Sequence, residues 1–153
     1  MSSRRSSPPL PLWELCGSAH LVEVRAALGR GEQVNSASDR GVTGLMNALN
    51  TQRNSIVEFL LCHQDTDVNL VDRFNSTALH SACRADNSSG LKKVLAHPGL
   101  STLNTRSSDA LRSPLMEAVW NGSLACFRVL AREEGVNLDT RDGQGRTLEE
   151  VAR

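Results

Sequence analysis

Apolar residues along this chain gather in short phrases rather than long runs. Four of them, LVEVRAAL (21–28), IVEFLL (56–61), LKKVL (91–95) and CFRVLA (126–131), each read as one short helix. Four other phrases alternate with these: GVTGLMNA (41–48), NSTALHSA (75–82), LRSPLMEA (111–118) and GRTLEEVA (145–152). Their hydroxyl residues Thr43, Thr77, Ser113 and Thr147 stand 34, 36 and 34 residues apart, and an Ala follows each five residues later. A hydroxyl at that place opens a helix by accepting an otherwise unpaired backbone N–H. The small Ala lets a second helix pack closely. A third phrase keeps the beat: VN at 34–35 and 68–69, LN at 103–104, LD at 138–139. From there to the next Thr the chain is rich in Asp, Gly, Ser and Asn, enough for a hairpin-like finger. Two helices this short cannot bury their apolar faces alone, so neighbouring units must stack.

These phrases resemble the ankyrin repeat family, whose pattern is D-x-x-G-x-T-P-L-H-x-A followed by V-x-x-L-L and D-V-N. Asp72 through Ala82 match, with Asn75 in the Gly place and Ala78 in the Pro place. Ser113, Pro114, Leu115 and Ala118 match with Met116 in the His place; Asp142, Gly145 and Thr147 match in the last unit. In the second unit Ser38 replaces the Asp, while Gly41 and Thr43 are kept. The resemblance implies an all-α solenoid of stacked helix pairs with hairpin-like loops over residues 10–153. Its units fall near 10–37, 38–71, 72–107, 108–141 and a partial 142–153, after a disordered tail at 1–9. The first unit lacks the T-P-L-H phrase and resembles an N-terminal cap. The last stops within its first helix: it is either a weak cap or the sign of a longer solenoid, and the second is favoured because stacking normally needs a complete terminal repeat. The stretch NTRSSDALRS carries an extra residue or two and should distort the fourth finger.

Charge narrows the partners. Lys and Arg number 17 and so do Asp and Glu, giving zero net charge. Nucleic acid is therefore not the expected partner, since phosphate-backbone binding rests on clustered basic charge. No apolar run is long enough to span a bilayer. MSSRRSSPPLPLW is basic without the apolar run of a secretory leader. The four Cys, at 16, 62, 83 and 126, form no CxxC, and a reducing compartment fits them best. The expected location is the cytoplasm, with the nucleus as the alternative.

Candidate chemistry is sparse. No phosphate loop or HExxH is present, and no cofactor or metal is expected. His80 and Cys83 lie three apart on one helical side, which invites a thiol-enzyme reading. A nucleophile also needs an orienting group and an oxyanion site, and nothing supplies them. The resemblance instead gives His80 a structural role, tying turn to helix.

Binding is the default. In the family, contacts vary around the finger Gly and just after the Ala phrase. Here those places hold Asp39, Arg40, Val42, Arg73, Phe74 and Ser76, then Arg84 and Ala85, then Arg112, Trp120 and Asn121. Phe74 at a finger tip beside Arg73 suits an interface anchor, and the competing reading folds it over a neighbouring finger. Trp120 either faces the palm or packs between units four and five. Arg40, Arg73 and Arg84 could line up as a basic rib for an acidic or phosphorylated peptide. The expected function is a protein–protein interaction module that takes a protein or peptide on its concave side. The alternative is a spacer, or a self-associating unit that covers Leu138, Leu148 and Val151. Two modification sites are candidates. Ser7 follows a basic pair in RRSS. Asn69, in LCHQDTDVN, resembles the asparagine that hydroxylases modify in ankyrin proteins; its competing role is to close its own loop.

Overall fold

The computed structural model describes residues 7–153. Nine helices are found among them, in four pairs and a single: α1 (Leu12–Ser18) with α2 (Leu21–Gly29), α3 (Gly44–Asn50) with α4 (Asn54–Leu61), α5 (Ala78–Arg84) with α6 (Ser88–Leu95), α7 (Pro114–Trp120) with α8 (Leu124–Leu130), and α9 (Leu148–Ala152). The odd helices pack in one row, α1 on α3 on α5 on α7 on α9, and the even helices form a second row behind them. Each hydroxyl expected to open a helix does so. Thr43, Ser113 and Thr147 accept the N–H of Met46, Met116 and Glu150, and Thr77 caps α5.

The core repeats with the units. Leu45, Leu49, Ile56, Val57 and Leu60 fill one layer; Leu79, Leu91 and Val94 the next; Leu115, Cys126 and Leu130 the third. Close approach of the odd helices depends on small residues: a Cβ on Gly44 would meet Cys16 Sγ at 2.7 Å. Burial in that contact pushes the Cys16 thiol up to about 12, with Glu32 adding to the effect.

Side chains tie successive units together in a regular way. At the start of the even helices, Arg53 donates to Gly17 O (3.0 Å) and Ala19 O (2.8 Å), Asn87 Nδ2 to Leu49 O (3.0 Å), and Ser123 Oγ to Cys83 O. These bonds give carbonyls at the ends of the odd helices a partner from the next unit. At the opposite edge three asparagines clasp the next loop. Asn35 accepts from Asp67 N–H and donates to Asp65 O, Asn69 accepts from Ser101 N–H and donates to Gly99 O, and Asn104 accepts from Asn137 N–H and donates to Gly135 O.

The fingers are tight turns, each closed across its base by a backbone bond: Ser38 N–H to Val42 O, Asp72 to Ser76, Ser107 to Arg112 and Asp142 to Arg146. The fourth spans one residue more than the others, which locates the extra length expected there. It is entered at Ser107, just ahead of the unit boundary at 108. Of the tail assigned to 1–9, residues 1–6 lie outside the described residues.

Candidate functional site

Each finger is shaped by its first residue. Asp72 Oδ1 accepts the N–H groups of Phe74 (2.8 Å) and Ser76 (3.0 Å), and Asp142 Oδ1 those of Gln144 and Arg146 (both 2.9 Å). Ser38 Oγ does the same for Arg40 and Val42 at 3.2 Å, so the hydroxyl replaces the carboxylate at that place. Backbone bonds then join finger to finger: Arg73 N–H to Arg40 O, Ser108 N–H to Phe74 O, Gly143 N–H to Ala110 O. The tips thus form one ladder beside the odd-helix row.

His80 locks the third finger to the fourth. Its Nδ1 accepts from the Thr77 N–H (3.1 Å) and faces the Thr77 hydroxyl (3.0 Å), so Nε2 carries the proton and donates to Arg112 O at 2.9 Å. The ring is fully buried, and burial lowers its pKa. Cys83 is equally buried; its hydrogen bond with Cys126 and its burial raise its pKa well above the usual thiol range. With both ring nitrogens engaged and the thiol held protonated, His80 and Cys83 are not a catalytic pair.

Between fingers and helices lies a charged cluster. Arg84 Nε donates to Glu117 Oε1 at 2.8 Å and its NH2 group donates to Ser76 Oγ at 2.8 Å. Arg112 approaches the other oxygen of Glu117 at 3.6 Å and lies over the Trp120 ring, 3.8 Å from its centre. Arg146, paired with Asp142 at 2.7 Å, reaches the same ring at 5.3 Å. Burial works to raise the Asp142 carboxyl, but the Arg146 hydrogen bonds prevail and hold it below the usual range. Trp120 stays 49% exposed among these arginines. Arg112 covers one face of the ring and about half of the side chain stays exposed.

The predicted contact residues therefore divide. Arg40, Arg73, Phe74, Arg84 and Trp120 are exposed, Val42 and Arg112 partly so. Arg73 lies over the Phe74 ring at 4.7 Å. Ser76 is a correction: at 1% exposure it cannot touch a partner, because its finger folds it inward to position Arg84. Val42 and Arg84 share a depression of about 200 Å³ with Met46, Asn50 and Ser81, between the second and third units. Sequence reasoning missed Glu117 and Arg146, which only stacking brings to this face. It also passed over Leu111, 42% exposed at the fourth finger tip. The aligned phrases held that signal, since Leu111 stands in the column of Gly41, Asn75 and Gly145. Asn69 is half-buried with its amide engaged on both sides, and Ser7 is exposed. Among the described residues no group of three His, Cys, Asp or Glu side chains is placed to hold a metal ion, and no helix is long and apolar enough to cross a membrane.

Stacked helix pairs joined by fingers, with polar and aromatic side chains displayed along one row, define a repeat scaffold for protein contacts. The sequence matches the profile described as Ankyrin repeats (3 copies) over residues 12–103 and again over 45–142, and the chain belongs to the ankyrin repeat family. The ankyrin fold serves as a protein–protein interaction scaffold. The chain is also similar to Alpha-latrotoxin-Lg1a of Latrodectus geometricus, with 26% identity over 127 residues; the match takes in 82% of this chain and 9% of the toxin. This chain thus spans less than a tenth of the length of that curated relative.

Proposed function

We propose that the face formed by the finger tips and the odd helices binds a partner protein or peptide, with Arg40, Val42, Arg73, Phe74, Arg84, Arg112 and Trp120 as contacts and Ser76 as the residue that positions Arg84. The observation that carries this reading is the pair of exposed aromatics, Phe74 at 41% and Trp120 at 49%, each held beneath an arginine on the same side of the stack. Rigid aromatics beside Arg are the residue types that dominate interface energies. The free thiols suit a reducing compartment, so the cytoplasm, or else the nucleus, is the location this reading carries. Exposed Ser7 is a candidate phosphorylation site. Asn69 as a hydroxylation site would first require its loop clasp to open. A pull-down comparing wild type with Phe74→Ala, Trp120→Ala and Arg40→Glu, with thermal melts in parallel, tests the face. Partners lost at unchanged melting temperature support it; variants that retain every partner would overturn it.

A second reading is self-association through the last unit. Leu138 is 55% exposed, and Leu148 and Val151 are only half-buried. Beside α9, Ala118, Val119, Leu124 and Phe127 line an apolar groove of about 240 Å³. Sedimentation across protein concentration decides this: a dimer lost when Leu138, Leu148 and Val151 become polar favours it, and a monomer at all concentrations rejects it.

A further inference from the structure

The fourth finger breaks a rule that the others keep. Each tip needs one residue with positive φ, and the second, third and fifth units supply Gly41 (77°), Asn75 (57°) and Gly145 (77°). The fourth unit supplies Leu111, at 50°. A branched side chain in that region crowds its own backbone, and such strain persists mainly where function holds it. Burial does not account for it, because Leu111 is 42% exposed. On the next finger it faces Gly143, where a Cβ would come within 3.8 Å of Leu111 Cγ. On the other side, Ser108 N–H bonds Phe74 O at 2.7 Å and Asn75 Nδ2 bonds Arg106 O at 2.8 Å, so the finger carrying Phe74 is fastened to the finger carrying Leu111. Two exposed apolar side chains thus occupy adjacent tips of a fixed ladder.

The charge around them leans positive, with Arg40, Arg73, Arg106 and Arg141 exposed against Asp39 and Asp109. Residues 37–42, 71–76, 106–112 and 141–146 contain six arginines and four aspartates, although the whole chain is neutral. Asp142 is buried and pairs with Arg146, so those two charges offset each other, and the half-buried Asp72 uses Oδ1 on its own finger N–H groups. A partner complementary to this ladder carries negative charge around apolar anchors.

We propose that Phe74 and Leu111 form a paired apolar anchor for an extended acidic segment of a partner protein, one in which aliphatic or aromatic side chains alternate with Asp or Glu. This rests on the binding-face reading above and names the partner's chemistry. Random linear peptides displayed on phage, selected on the purified chain and then measured by fluorescence polarisation, test it. The selected peptides should be acidic with apolar residues between the charges. Leu111→Gly and Leu111→Asn, which relieve the backbone and remove the side chain, should each weaken binding about tenfold or more, as should Phe74→Ala. Leu111→Gly should meanwhile melt about 1–4 °C higher, so that a binding loss cannot be a folding loss. Basic peptides, no selection above background, or a loss with Gly but not with Asn would each overturn the anchor. Peptides sensitive to Trp120→Ala but indifferent to both Leu111 variants would overturn it and leave the binding face standing. Peptides indifferent to Trp120, Phe74 and Leu111 alike would remove the binding face as well.

Discussion

At the scale of single residues, two leucines show how differently one side chain can act. Leu79 is fully buried in the middle layer, so Leu79→Ala should cost about 2–5 kcal/mol, read as a lowered urea midpoint. Leu111 is exposed and strained, so Leu111→Gly should stabilise the fold by about 0.5–1 kcal/mol in the same measurement. Phe74→Ala leaves no cavity and should change the midpoint little. His80 adds a pH dependence whose sign follows from its burial. Its pKa is lowered in the native protein, so the unfolded chain takes up a proton near the ordinary value of 6.5 that the folded chain refuses. The stability His80 contributes is complete above 6.5 and declines as pH falls from there toward the lowered native value. Urea midpoints at pH 7 and pH 5 should differ accordingly. His80→Gln should be weaker at pH 7 by about 1–3 kcal/mol, through lost buried hydrogen bonds, and show a shallower decline.

At the scale of elements, the helices are too short to persist alone, and their order comes from caps and clasps. The asparagine clasp is the clearest case. Asn69→Ala removes the bonds to Ser101 N–H and Gly99 O and should cost about 1 kcal/mol at this half-buried site. Hydrogen exchange should locate that loss in the loops around 65–70 and 97–101 rather than in the helices. Much of this was legible in advance. Thr43, Thr77, Ser113 and Thr147 marked helix starts because capping depends on a residue and its next few neighbours. Phe74 was legible as an exposed tip because a finger leaves little room to bury it. Ser76 was not: it lies two residues further along the same finger, and the turn points its hydroxyl inward to Arg84.

At the scale of the whole molecule, stability runs along the stack and should weaken toward the last helix. α9 has no buried residue and packs chiefly on α7. Amide hydrogens after Asp142 should therefore exchange fastest among the described helical units, and urea unfolding should be broad rather than sharply two-state. Equal protection of α9 and α5 would contradict this.

The period near 34 residues, the helix starts, the finger positions and the apolar layers were determined by the sequence itself, because each depends on residues within one or two turns of one another. The repetition then required stacking, since one helix pair cannot bury its own apolar face. Only the tertiary structure decided which side chains meet. Arg84 finds Glu117, His80 finds Arg112 and Arg146 reaches Trp120 across unit boundaries, through side-chain rotamers and the offset of one layer on the next. Those are properties of the packed stack, and no local pattern encodes them.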